Sequence, residues 1–306
     1  MATIFAEAVL AQLFKKEVNG QVTGGPAYYL RYGLNSKFLS SFFAITIVLA
    51  LGFIGNMVQA NSIGTAFESA FHVNPLIVGI VLAIISGFIF VGGVARIASF
   101  TEKIVPIMAF FYIIGGLIIL VIMGSDTLDA IRQIFVGAFN PSAVLGGAAG
   151  VAVKDAVRYG VARGLFSNEA GMGSTPHAHA IAKVDDPTQQ GLVAIVGVFI
   201  DTFIVLTLTA LVILTSNIGL NVSALVIIAT GANLSGETGI AVTQKAFETG
   251  FGGFGLVFVA IALLFFAFST IIGWYFFAEA NIKYLFGEKG LTPYRIIVLA
   301  FIVLGT

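Results

Sequence analysis

Asp201 stands in GVFIDTFIVL near the middle of an apolar run, with no Lys or Arg within one helical turn on either side. A charge at the centre of a membrane helix costs about 2.5–3.5 kcal/mol on insertion scales, so this carboxylate is expected to coordinate or couple to a cation. The alternative is a buried pair with Lys154, Arg158 or Arg163. A second group lies in GLFSNEAGMGS, residues 164–174, where Gly171 and Gly173 release a helix while Ser167, Asn168 and Glu169 supply oxygens. Freed carbonyls and hydroxyls suit a desolvated sodium ion, and the N–H groups of the half-helix that follows, near Ser174 and Thr175, suit a carboxylate. The alternative there is a glycine-rich helix crossing in which Asn and Glu fix the neighbours.

Other polar groups are more ambiguous. Ser269 and Thr270 in FAFSTIIGWYF can serve an ion or back-bond to the preceding turn. Trp274, the only tryptophan, is an interface anchor or, on a face shared with that hydroxyl pair, a pocket wall. Asn56, Gln59 and Asn61 in GNMVQANSIG bring amides to one helix end, for helix–helix bonding or pocket lining. Lys154, Asp155 and Arg158 read as a structural or gate salt-bridge network, and Glu7 and Glu279 as solvated or paired groups toward helix ends. His177 and His179, two apart, face different sides of a helix with no third ligand spaced to join them, so no metal site is expected. No nucleophile–base pair, phosphate-cradling loop or HExxH occurs, and no enzyme is expected.

The elements that must position these groups follow from composition. The 306 residues are 58% hydrophobic and 10% charged, with a mean hydropathy of +1.03, which excludes an ordinary soluble domain. Fifteen basic and fifteen acidic side chains cancel, so nucleic acid is not an expected partner, and the absence of cysteine excludes disulfides and thiolate chemistry. A bilayer core needs about 20 apolar residues. Residues 38–58, 75–95, 104–124, 190–214 and 254–278 meet that length, while apolar runs at the two ends of the chain are too short to span. Residues 141–182 carry four charges ahead of their glycine-rich middle and read as an interrupted helix, whose irregular backbone must be buried in protein or line a wet cavity. Residues 221–251 read as an extramembrane hairpin or re-entrant cover.

With the 15–37 loop cytoplasmic, ten of the fifteen basic residues fall inside and only Arg132 and Lys245 outside, as the positive-inside bias requires. The order of elements suggests an inverted repeat: a partial span and three spans, then a broken helix, span, cover, span and partial span.

The stretch RGLFSNEAGMGSTPHAHA, residues 163–180, resembles the diagnostic motif of the alanine or glycine:cation symporter family, the bacterial and archaeal sodium/alanine symporters. FAEAVLAQLFK, GGPAYYL at 24–30, FIDTFIVLTLTALVIL at 199–214 and FSTIIGWYFFAE at 268–279 are in the same style, so the likeness covers essentially the whole chain. The resemblance implies an all-α membrane protein with the inverted-repeat sodium-symporter fold, similar to the amino acid-polyamine-cation transporters. It forms one transporter domain over 1–306: 1–124 as the remainder of a first repeat lacking its first helix, and 141–306 as a second repeat incomplete at its C-terminus. It further implies sodium-coupled symport of alanine or glycine across the cytoplasmic membrane by alternating access, sodium being the coupling ion and no other cofactor involved.

On the family pattern, residues 166–173 form the unwound part of a broken core helix that lines the substrate, with Phe166, Ser167, Asn168, Glu169, Gly171, Gly173, Trp274, Asn56 and Gln59 as substrate-binding candidates. Ser167 with Asp201 is the candidate pair at one sodium site, and Ser269 with Thr270 at the other. Relatives carry further helices before the position of Met1, so a chain cut at both ends is expected, and one that does not transport as it stands. An ion channel and a non-transporting assembly subunit are the rival readings.

Overall fold

The computed structural model describes residues 1–18, 20–139, 167–215 and 239–306, and within them the architecture is helical apart from one short hairpin. Helix α1 (Ala2–Leu13) leads into the antiparallel strands β1 (Lys16–Val18) and β2 (Gln21–Thr23), in which Glu17 pairs with Val22. Helix α2 (Pro26–Tyr32) then starts behind Gly25, whose φ of +115° only glycine adopts freely.

The long apolar helices have boundaries their caps explain. Helix α3 (Lys37–Phe71) starts where the Ser36 hydroxyl accepts from Leu39 N–H at 3.3 Å and stops at left-handed His72. Helix α4 (Pro75–Val91) has Asn74 accepting from Leu76 N–H at 2.9 Å and proline at its first position, and ends at Gly92. Helix α5 (Gly93–Met123) runs to Gly124 with Pro106 inside it, and α6 (Ser125–Phe139) follows. After the described part of the break comes α7 (Pro176–Ile181), then α8 (Pro187–Thr215), capped by Asp186. Helices α9 (Ile240–Phe251) and α10 (Gly253–Phe286) are separated by Gly252 at φ +59°, and a 3-10 turn over Gly287–Gly290 leads to α11 (Leu291–Gly305).

Among the described residues, four stretches are long and apolar enough to cross a bilayer: Lys37–Phe71, Gly93–Met123, Pro187–Thr215 and Gly253–Gly305. The 75–95 stretch forms a helix of 17 residues, because Gly92 ends it and Gly93, at φ +67°, turns the chain into α5. Helix α10 is 34 residues, or about 51 Å at 1.5 Å per residue, and outruns the span expected at 254–278. It continues because the charge at its far end is matched: Glu279, 2% exposed, pairs with Lys283 at 3.0 Å and with Arg295 of α11 at 3.9 Å. The expected cover at 221–251 lies outside the described residues before 239; its described part is α9, whose Phe247 is buried against Tyr112 and Phe258.

The core is built around α10. Trp274 packs closely on Gly55 of α3, where an added Cβ would come within 2.6 Å of the indole, and Tyr275 stacks on Phe90 of α4 and Tyr294 of α11. Small residues permit such close approach of helices when lipid supplies no hydrophobic drive between them. On the other side α1 crosses α8, with Phe5 and Val9 over Gly191 and with Ile4, Ala8 and Ala194 buried together. Large apolar side chains point outward, Phe88 and Val121 at 70% and 80% exposure among them, as a lipid-facing surface requires.

Candidate functional site

The site begins with the backbone of the break. Between the helical turn at residues 167–168 and α7, the chain takes positive φ at Glu169 (+55°), Gly171 (+93°) and Gly173 (+76°), alternating with ordinary φ at the residues between. That alternation turns the N–H groups of Gly171 and Gly173 toward one side, where they form a concavity suited to an anion, while Met172 N–H between them bonds Glu169 O at 3.1 Å. The carboxylate of Glu7, on the buried face of α1, occupies it: Oε2 accepts from Gly171 N–H and Oε1 from Gly173 N–H, each at 3.1 Å. Glu7, expected as a solvated or paired group, is instead 8% exposed and bonded to backbone from the other half of the chain. Its signal was readable in part, since Ile4, Glu7, Ala8, Ala11 and Gln12 recur at helical spacing and form one buried stripe.

The side chains of the break reach two other helices, α8 and α10. Ser167 donates its hydroxyl to Asp201, 3.0 Å from Oδ2 and 3.3 Å from Oδ1, and Asn168 Nδ2 lies 3.4 Å from the Thr202 hydroxyl. Both acceptors stand in a π-helical turn, Ile200–Val205 of α8, where the wider hydrogen-bonding ring displaces side chains from their ordinary register. Asn168 Oδ1 also accepts from Ala170 N–H at 3.0 Å, which closes the local turn. Glu169 accepts at Oε1 from Trp274 Nε1 of α10 at 2.7 Å and at Oε2 from the Ser174 hydroxyl. Trp274 is thus 2% exposed and tied to the break, which removes the interface-anchor alternative.

The remaining candidates are placed less centrally. Asn56 follows a second π-helical turn, Val48–Gly55 of α3; its Nδ2 donates to Gly52 O at 3.1 Å, while its buried Oδ1 has no partner among the described residues. Gln59 is half-buried one turn on. Ser269 and Thr270 both back-bond to Phe266 O, at 2.8 and 2.9 Å, leaving their oxygen lone pairs available to a cation. Phe166 and the basic or acidic positions Lys154, Asp155, Arg158 and Arg163 lie outside the described residues.

His177, set aside as a metal ligand, is a packing pivot. Its Nδ1–H donates to Ser174 O at 2.7 Å, Nε2 accepts from Asn281 Nδ2 at 2.8 Å, and the ring is held between Phe43 and Phe277 over Gly25. The amide of Asn281 is oriented by its second bond, Nδ2 to Phe277 O at 2.7 Å. Gln12 of α1 donates to His179 O and, at 3.0 Å, to Ala182 O, closing the downstream end of the same segment. Among the described residues no cluster of three His, Cys, Asp or Glu could hold a metal.

Comparison with known proteins matches the sodium:alanine symporter family model over residues 1–306. The sodium/alanine symporter AgcS of Methanococcus maripaludis is 42% identical over 98% of this chain and 65% of its own length. The amino-acid carrier protein AlsT of Bacillus subtilis is 40% identical over 100% of the chain and 62% of its own length, and the probable sodium/glutamine symporter GlnT of the same organism 41% over 99% and 60%. The chain spans 60–65% of the length of these relatives. They are carriers and not enzymes, and with its long apolar helices the chain is a multi-pass cell-membrane protein.

Proposed function

The chain belongs to the sodium:alanine symporter family, and on that premise we propose that its protein couples the entry of a small neutral amino acid, alanine or glycine, to sodium by alternating access. The observation that carries the reading is the break itself: an unwound segment of an apolar protein on which the carboxylates of Glu7 from α1 and Asp201 from α8 and the indole N–H of Trp274 from α10 converge. Backbone polar groups outside regular structure are tolerated at membrane depth only where protein or a wet cavity satisfies them, and such a segment is where a zwitterion and a cation can exchange water for fixed polar groups.

In this reading Ser167 and Asp201 serve one sodium and Ser269 and Thr270 another. Phe166, Asn168, Glu169, Gly171, Gly173, Trp274, Asn56 and Gln59 surround the amino acid. Residues 1–124 are the remainder of a first repeat without its first helix, and 141–306 an inverted second repeat incomplete at its C-terminus, within one domain. Sodium binding favours the outward-open form, the amino acid completes the site, and rocking of one helix bundle against the other delivers both to the cytoplasm.

Radiolabelled alanine uptake into proteoliposomes of the protein that carries this chain, and not of residues 1–306 alone, tests this directly. Accumulation is expected with an inward sodium gradient and not with potassium, competed by unlabelled glycine. Sodium-driven accumulation of labelled glutamine without accumulation of labelled alanine or glycine overturns the substrate assignment, and sodium-independent conductance without saturation favours a channel.

A further inference from the structure

We propose that Glu7 is a positioning residue for the helix break, holding residues 169–173 in the one backbone shape that presents Glu169 to Trp274. The proposal rests on the transport reading above but is argued from separate contacts. The concavity made by Gly171 and Gly173 N–H is the feature of the break best suited to an external carboxylate, and a carboxylate of the same chain already fills it with two bonds of 3.1 Å. An amino-acid substrate therefore binds against a break that Glu7 has shaped, with those N–H groups already satisfied.

The placement of Glu7 also says what it connects. Helix α1 is locked onto α8 by Phe5 and Val9 over Gly191, and α8 carries Asp201, the acceptor of Ser167. The break is thus fastened to the α1–α8 pair at residue 167 and at residues 171 and 173. Between those points Glu169 is fastened to α10 by the Trp274 indole, and beyond them His177 is fastened to α10 by Asn281. Any displacement of α1 and α8 relative to α3 and α10 must strain or rearrange this segment, and Glu7 is the group through which α1 holds residues 171 and 173, as Gln12 holds residues 179 and 182 further on.

A glutamine at position 7 has the same shape but only one acceptor oxygen, so its NH₂ group faces the second glycine N–H, donor against donor. In Glu7→Gln the backbone amides of residues 169–175 are expected to exchange with deuterium about tenfold faster than in the wild-type protein, since bonds to a charged acceptor are lost. The alanine half-saturation is expected to rise by about the same factor with a smaller change in maximal rate, and Glu7→Asp, which keeps the charge, to fall between. Folded Glu7→Gln protein with exchange and half-saturation both within about twofold of wild type overturns the proposal. If Glu7→Gln does not accumulate folded, Glu7→Asp carries the same test: about threefold faster exchange supports the proposal, and wild-type exchange overturns it. If the wild-type protein shows no sodium-driven alanine uptake, the exchange comparison still decides the role of Glu7 and only the transport reading fails.

Discussion

At the scale of single residues, two contacts decide most of the behaviour of the break. Asp201 accepts one hydroxyl bond, from Ser167, and keeps lone pairs for a cation. Asp201→Asn is expected to raise the sodium half-saturation for uptake by about tenfold, the value of one charge-assisted contact, while an unchanged half-saturation makes Asp201 structural. Trp274 donates its indole N–H to Glu169. Trp274→Phe keeps the ring over Gly55 but leaves a buried carboxylate oxygen short of a donor, so a stability loss of about 1–3 kcal/mol is expected in detergent unfolding. These roles were partly legible. The residue types and the glycine spacing announced the break, whereas the partner of its N–H groups, Glu7, lies 164 positions from Gly171 and no local pattern links them.

At the scale of elements, helix ends and helix contacts carry the predictions. Asp186 caps α8 at the membrane surface, accepting from both the hydroxyl and the N–H of Thr188, at 2.7 Å for the latter. Those bonds, the hydroxyl's first, hold its carboxyl below the usual range. Because the folded pKa is depressed, the cap contributes stability above the unfolded carboxyl pKa and loses it as the pH falls through the lower folded value. The difference in thermal midpoint between wild type and Asp186→Asn is thus expected at neutral pH and to disappear in acid, as a pair of melting series across that window will show. Gly55 tests packing instead. A methyl group there meets the Trp274 ring at 2.6 Å, so Gly55→Ala is expected to cost about 1–3 kcal/mol of stability and to slow uptake by displacing the indole. The spans starting at 38, 75 and 190 were readable from apolar length alone, and the structure adds the caps Ser36, Asn74 and Asp186 within a few residues of those starts. The length of α10 was not, since hydropathy stops counting at Glu279 and only its pairing with Lys283 and Arg295 lets the helix run on.

At the scale of the whole molecule, the single tryptophan is placed where the large parts meet: against α3 through Gly55, in α10 by sequence, and on the break through Glu169. Its emission therefore reports on the relation of these parts without any label. Sodium, and alanine in the presence of sodium, are expected to shift that emission in the wild-type protein, and potassium is not. The shift is expected to be weaker in Asp201→Asn, and an emission indifferent to sodium contradicts the placement of the ion beside the break. The same arrangement explains why polar groups so expensive in lipid are tolerated here, because Ser167, Asn168, Glu169 and the N–H groups of Gly171 and Gly173 are all bonded to groups of α1, α8 or α10.

The sequence by itself determined the solvent of this protein, its helical class, most of its spans, the position of the glycine-rich break and, through motif resemblance, its family. Each of these depends on composition or on neighbours within a few turns, which is the range over which periodicity, capping and glycine act. The tertiary structure alone decided which side chains complete the break: Glu7 rather than a solvated carboxylate, Trp274 turned inward, His177 as a pivot, and Thr202 beside Asp201 in a π-helical turn. Apolar helices of similar composition can cross in many ways, and only close approach at glycines such as Gly55 and Gly191 selects the crossing that brings residues more than a hundred positions apart into hydrogen-bonding distance.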